Sequence, residues 1–294
     1  MQTADSKKSI FAPSPSPEEM REIHAVLLEM MSDIDALCRK HGLTYTLYCG
    51  TLLGAVRDGG LIPWDDDADL MMPADDCRRF LRLARSELSE KYVIQDLSNT
   101  PAHPWLWIRV FRKGTAYLRK NWQTLPVHHG IALDIYPMIR AADSKTGLKL
   151  QVLTLNVSKA LRHVDYWRET GYPKDPKLAR IARVLEKMPA GLRRFLSRML
   201  LAAAARQPKP GHRCCTLDGA AFSPKYEAED WERLTETELG GHRFLIPEAY
   251  DKLLTVMYGD WRTPPPEEKR GGHGAAYGGV LTDAHRDYTE YLKG

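Results

Sequence analysis

The sequence has no apolar run close to the ~20 residues that a transmembrane helix needs, so a membrane-spanning helix is not expected. It has no internal repeat. It has no strong excess of either charge: 42 Lys and Arg against 38 Asp and Glu leave +4, too little to imply nucleic acid as a partner. Cysteine is scarce and odd in number (Cys38, Cys49, Cys77, Cys214 and Cys215), with no C-x-x-C pair. That fits a reducing cytoplasm and argues against a cysteine zinc site. Cys38, Cys49 and Cys77 sit among apolar neighbours and read as small core residues. Residues 1–16 are polar, rich in Ser and Pro and without the apolar centre of a signal peptide, which predicts a disordered lead-in. What is present is ordinary for a globular protein: 43% hydrophobic and 27% charged over 294 residues, enough chain for a substantial core.

Hydrophobic spacing organises the chain. Ser16 followed by Pro17-Glu18-Glu19 is a helix start, and Ile23, Val26, Leu27, Met30, Met31, Ile34 and Leu37 continue an amphipathic helix to His41-Gly42. Residues 43–49 predict a strand, broken by Gly50-Thr51, then a short helix 52–57 and a turn at Asp58-Gly59-Gly60. An acidic strand is expected over 65–71, a helix after Pro73, and strands at 92–97, 105–112, 115–119 and 130–136. Residues 145–206 read as helical with breaks at 171–173 and 188–189. Short strands are expected at 214–222 and 242–246, a helix at 247–258, and a Pro- and Gly-rich loop over 259–272. The expected division is a core at 17–144, with 145–294 a mostly helical extension that completes it. The fold class expected is α/β, a mixed sheet flanked by helices.

The run Trp64-Asp65-Asp66-Asp67-Ala68-Asp69-Leu70 is the most informative stretch. In a strand, Asp65, Asp67 and Asp69 share one face, and Asp66 faces away with Ala68 and Leu70. Neighbours on that face lie roughly 6.6 Å apart, and at an effective dielectric of about 20 each ionised pair repels by ~2.5 kcal/mol. A hard divalent cation reverses that sign, and magnesium completes its shell with water and substrate phosphates. A hydrated acidic turn is the plain alternative. Upstream, Gly50 permits close approach of a ligand to the backbone, and Thr51 is placed to cap a helix whose N–H groups can receive phosphate. Downstream, Asp134 stands alone between Leu133 and Ile135 in an apolar strand.

These blocks resemble the signature of the LicD/fukutin family, within the nucleotidyltransferase-fold superfamily. The resemblance runs through Tyr48-Cys49-Gly50-Thr51-Leu52-Leu53-Gly54-Ala55-Val56-Arg57, Ile62 to Leu70, Thr115 and Gly130 to Pro137. It continues at Tyr258-Gly259-Asp260-Trp261, Pro264 to Arg270 and His273. Ala68, Ala132 and Tyr136 depart from the family's commoner residues without touching a carboxylate, and residues 145–240 match poorly. The resemblance implies a nucleotidyltransferase-like core and transfer of a phospho-alcohol from a CDP-linked donor to the hydroxyl of a glycan or small acceptor. Phosphocholine and ribitol phosphate are the known cargoes. Mg2+, with Mn2+ as the alternative, would be held by Asp67, Asp69 and Asp134, and Asp65 would be a further ligand or the base. Gly50, Thr51, Arg57 and His273 would serve the donor, Arg57 through its fork and His273 in a closing loop. For Arg57 the plain alternative is a surface ion pair. A nucleotidyltransferase releasing pyrophosphate and a non-catalytic membrane-docked module are the competing readings.

Of Arg109 and Arg112, one regular strand lets at most one reach the site. Trp105, Trp107, Tyr117 and Trp122 are candidate walls of a quaternary-ammonium cage, with core packing the plainer reading. His128-His129 reads as a loop feature. Residues 177–206 mix Lys and Arg with apolar residues. The preferred reading is a helical hairpin packing its apolar face inward, split by Pro189 and Gly191, and the alternative is peripheral contact with the inner face of an anionic membrane.

Overall fold

The computed structural model describes residues 10–100, 103–206, 211–217 and 226–292. Residues 1–9 of the expected lead-in and 218–222 of the expected strand at 214–222 lie outside these. The chain opens with α1 (Pro17–His41), capped by a reciprocal pair: Ser16 Oγ accepts from Glu19 N–H, and the Glu19 carboxylate accepts from Ser16 N–H. Gly42, at φ 59°, closes it. Then follow β1 (Thr46–Leu47), α2 (Cys49–Arg57), β2 (Ala68–Pro73), α3 (Ala74–Glu87), β3 (Tyr92–Gln95), β4 (Ile108–Arg112), β5 (Ala116–Arg119) and β6 (Ala132–Arg140). Three helices come next, α4 (Lys145–Thr170), α5 (Pro176–Glu186) and α6 (Ala190–Ala205). The chain closes with β7 (Arg213–Thr216), β8 (Tyr226–Glu227), β9 (Leu234–Leu239), β10 (His242–Pro247), α7 (Tyr250–Tyr258) and β11 (Val280–Asp283).

The fold is a mixed α/β one, as expected. The main sheet runs β1-β2-β6-β4-β3, with β2 and β6 parallel and the other pairs antiparallel. One edge of β6 takes β2. Its other edge is divided, with β4 on residues 132–135 and β7 on 138–140. One sheet face, carrying Ala68, Leu70, Leu133 and Ile135, packs with Ile23, Leu27, Met30 and Ile34 of α1 into the principal core. Alternation turns Asp69, Met71 and Asp134 to the opposite face.

Several elements differ from the sequence reading. The strand expected over 43–49 shrinks to Thr46–Leu47 because Cys49, at φ 43°, already turns the chain into α2. The acidic strand begins only at Ala68, where pairing with Leu133 starts, so Asp65, Asp66 and Asp67 lie in the loop before it. β5 pairs with β11 rather than with the main sheet. The sequence reading missed β9, which pairs with β10 through a two-residue turn; its residues Gly240 and Gly241 have φ 60° and 81°, the hairpin geometry glycine favours. Ala12 exchanges two backbone hydrogen bonds with Val280.

The helical segment 145–206 breaks where expected. α6 packs on α4 through Ser158 and Ser197, and Gln151 donates to the carbonyls of Arg140 and Ala204. Arg162 of α4 donates to the carbonyls of Thr100 and His103, tying the helices to the sheet. Six of the hairpin's apolar residues are not turned inward, however: Leu178, Ile181, Val184, Leu192, Phe195 and Met199 are all about half exposed, while Leu201 packs on a core cluster. The buried face uses small residues instead, Ala179, Ala182, Ser197 and Ala204, which allow close helix approach. Among the described residues, no helix is long and apolar enough to cross a membrane.

Candidate active site

The β1–α2–β2 unit sets the acids in place. Tyr48 N–H donates to Asp69 O at 3.0 Å, and Thr51 Oγ1 accepts Asp69 N–H at 2.8 Å. Thr51 therefore does not cap the helix as expected: Tyr48 is the N-cap residue, and α2 has no side-chain cap. The Thr51 hydroxyl instead continues the hydrogen bonding that β1 gives to β2. Gly50 lies against Asp65, where a Cβ would collide with the carboxylate. Arg57, nearly buried, holds Asp58 through two bonds of 2.8 Å and lines the same cleft.

Register assembles a charged row across three strands. Asp69 of β2 is opposite Asp134 of β6, and Asp134 is opposite Arg109 of β4. Arg109 Nε donates to Asp134 Oδ1 at 2.6 Å, both side chains being buried. Arg109 thus reaches the site, whereas Arg112, on the other face, turns to Glu29 at 3.6 Å. Asp69 has no such partner, and its Oδ1 is buried without a hydrogen bond.

The loop acids form a second, tighter group. Asp65, Asp66, Asp67 and His273 can place one ligand atom each within 4.8 Å of one another. His273 Nδ1 is 3.0 Å from Asp66, 3.6 Å from Asp67 and 3.9 Å from Asp65. Asp66 corrects the sequence reading: it does not face away but is buried, accepting from Tyr117 Oη at 2.5 Å and from the His273 backbone N–H. The reason is that 65–67 lie in a loop, where strict strand alternation does not apply. His24 of α1 meets the Asp65 carbonyl at 2.8 Å and steadies this loop. His273 begins a 3-10 turn, His273–Tyr277, leading through Gly278 and Gly279 into β11, so the β5–β11 pairing delivers it to the acids.

The electrostatics follow from burial and crowding. Burial, and then repulsion from Asp67, push the Asp65 carboxyl up to about 7. Asp67 is raised by burial against the pull of His273. Asp69 is raised well above the usual range by burial and then by Asp67, Asp134 and Asp65. Asp66 goes the other way, because bonds from His273 and Tyr117 outweigh its burial. The Asp66 bond and the nearby acids lift His273 to about 9. Carboxylates crowded in this way, one with an orphaned oxygen, fit a divalent cation by the chemistry of their donors. They open on a cleft of about 630 Å³ bounded by Gly50, Arg57, Trp64, Tyr258, Asp260 and His273.

Other sequence candidates serve structure. Trp105, Trp107 and Trp122 do gather, with centroids 5.2–5.9 Å apart, but the cations over them are the protein's own. Arg109 lies 4.5 Å from the Trp105 ring, and Arg119 4.5 Å from Trp122 and 5.0 Å from Tyr117. His129 is buried and bonded to the Leu125 carbonyl, and burial lowers it and His128 to about 4. Sequence reasoning named Tyr117 only as a candidate cage wall and not as the donor to Asp66, and it missed His24, which carries no local signal, and the row through Arg109, which only register creates.

A carboxylate cluster beside a glycine-lined helix start, in an α/β sheet, defines a candidate metal and phosphate centre. Residues 42–152 match the family model described as LicD/FKTN/FKRP, nucleotidyltransferase domain. The chain is 26% identical over 274 residues to the lipopolysaccharide cholinephosphotransferase LicD of Haemophilus influenzae, an alignment covering 86% of this chain and 95% of that protein. Uncharacterized proteins of Rickettsia prowazekii and Rickettsia typhi are each 44% identical over 50 residues, 17% of this chain and 19% and 16% of theirs. The chain is thus similar to LicD-family proteins, by the family model over residues 42–152 and by one relative over most of its length.

Proposed function

We propose that the protein is a metal-dependent transferase that moves phosphocholine, or a related phospho-alcohol, from a CDP-linked donor to a hydroxyl of a glycan or small acceptor, releasing CMP. The observation that carries this reading is the set Asp65, Asp67 and Asp69, all held above the normal carboxylate range, with the orphaned Asp69 oxygen beside the Gly50 helix start. The likeness to a cholinephosphotransferase over nearly the whole of that protein supports the cargo. In this reading residues 17–144 are the catalytic core, and 145–294 complete it. The buried free thiols Cys38 and Cys77, pushed up by burial and so kept unreactive, suit a cytoplasmic setting.

Asp67, Asp69 and Asp134 would hold Mg2+ or Mn2+, with Arg109 fixing the Asp134 carboxylate in one orientation. A bound cation supplies neutralisation of the diphosphate and of the departing CMP. The acceptor oxygen attacks the phosphorus that bears the alcohol, and the bond from that phosphorus to the bridging oxygen breaks. The hydroxyl proton passes to Asp65, whose value near 7 suits a base at neutral pH. His273 and Arg57, which both line the cleft, orient phosphate oxygens.

The test is a thermal-shift screen with Mg2+ against CDP-choline, CDP-ethanolamine, CDP-glycerol, CDP-ribitol and plain nucleoside triphosphates, followed by product analysis. A native-state ligand raises the melting temperature by mass action. Stabilisation by a CDP-alcohol, with CMP as product, is the expected result. Stabilisation by a triphosphate alone, with pyrophosphate released, would replace this reading with nucleotidyl transfer.

A further inference from the structure

A second cavity, about 310 Å³, lies between α3, the start of β4 and α6, in the size range of ligand sites. Its walls are mostly apolar: Leu81 on α3, Leu97, Leu106 and Ile108 along the sheet edge, and Leu201 and Ala202 on α6. Arg198 of α6 and Arg206, the residue that follows this helix, also line it. Neither has an ion-pair partner among the described residues, whereas the cavity's acids are engaged: Asp75 by Arg78, and Asp96 by Arg85. The outer side of α6 continues the apolar surface with the exposed Leu192, Phe195 and Met199. Charge is strongly uneven around it. Residues 145–206 hold 14 Lys and Arg against four Asp and Glu, a net +10, while the rest of the chain is −6.

We propose that this groove binds one hydrocarbon chain of an anionic amphiphile, with Arg198 and Arg206 receiving its charged group. The apolar walls exclude a plain phosphate as the sole occupant, and two guanidinium groups with no ion-pair partner among the described residues disfavour a cationic one. The groove also adjoins the chemistry. Trp107, in its wall, stacks on Tyr136 at 5.2 Å, and Tyr136 shares the face of β6 that carries Asp134, two residues away or roughly 6.6 Å at ~3.3 Å per residue. An amphiphile seated there presents its polar part near the carboxylate row. That this amphiphile is the acceptor rests on the phosphotransfer reading; its binding does not.

The experiment is calorimetric titration of the full chain with hexadecyl phosphate below its micellar concentration, beside inorganic phosphate and hexadecyltrimethylammonium. CMP release from CDP-choline to a water-soluble acceptor is measured on the same samples. Hexadecyl phosphate is expected to bind and the other two probes are not. Ala202→Trp fills the groove from an exposed position and should weaken binding by about ten-fold or more, the scale of losing two buried methylenes. The pair Arg198→Gln and Arg206→Gln should weaken it comparably, and the shared control is unchanged CMP release. Wild-type affinity in Ala202→Trp, or equal binding of the cationic amphiphile, would overturn the proposal. Amphiphile binding without CMP release would sink the phosphotransfer reading alone.

Discussion

At the residue scale, the site depends on one asymmetry. Asp134 has a buried cationic partner in Arg109, and Asp66 has His273 and Tyr117. Asp69 faces like charges with an oxygen that bonds to nothing. Such a carboxylate destabilises the metal-free protein and is worth its cost only when a ligand arrives. Asp69→Asn keeps the shape and removes the charge. It should reduce turnover by about 10²–10³-fold, the loss typical of removing one preorganised electrostatic contact. The metal-free variant should melt no lower than the wild type. Calorimetry with and without EDTA, beside a CMP-release assay, checks both halves. A variant with full turnover would remove Asp69 from the mechanism.

At the scale of elements, the decisive unit is the β1–α2 elbow. β1 has only two residues, Thr46 and Leu47, and the hydrogen bonding it cannot supply to Asp69 comes from Tyr48 N–H and Thr51 Oγ1. A hydroxyl on the first turn of α2 thus locks the acidic strand to the start of that helix. Thr51→Val leaves the Asp69 N–H buried without an acceptor and should cost about 1–3 kcal/mol. It should also lower kcat more than it raises KM, because Asp69 loses its set position. Thr51→Ser restores the acceptor and should recover most of both. If Thr51→Val and Thr51→Ser behave alike in denaturant titration and turnover, the hydroxyl does not position Asp69.

At the scale of the whole molecule, charge and burial set a pH dependence. Asp65 has a folded-state value near 7, raised from the ordinary carboxylate range, so the folded protein holds that proton longer than the unfolded chain does. Its unfavourable contribution therefore grows as pH rises through roughly 4 to 7. His273 is raised to about 9, so the stability it lends below about 6.5 is lost as pH climbs through 9. Both slopes have the same sign, and the melting temperature of the metal-free protein should fall steadily from pH 5 to pH 9. Saturating Mg2+ should flatten that fall, since a cation stabilises ionised carboxylates, and at about 100 times its dissociation constant it should add about 2.7 kcal/mol. Differential scanning calorimetry across pH with EDTA or Mg2+ measures this, and identical slopes would rule out metal binding by these acids.

Periodicity and end signals made the helices legible: Ser16 with Glu19, the i, i+3, i+4 stripe of α1, and the breaks around Gly171 and Pro189 are local features that need no distant partner. The blocks from Tyr48 to Leu70 were legible for the same reason, since their chemistry lies within a short stretch of chain. What the sequence by itself determined is the α/β class, the bounds of α1 and the breaks between α4, α5 and α6, the family likeness and the presence of a carboxylate-rich centre. Only the tertiary structure decided which way Asp66 points, because a loop, unlike a strand, has no fixed alternation. It alone decided that Arg109 neutralises Asp134 and leaves Asp69 bare, because register sets that row and sequence spacing does not encode register. It alone brought His273, more than 200 residues away along the chain, onto Asp66 through the pairing of β5 with β11. It also left Leu178, Ile181, Val184, Leu192, Phe195 and Met199 of α5 and α6 about half exposed, since small residues such as Ala179, Ala182, Ser197 and Ala204 take the inner face.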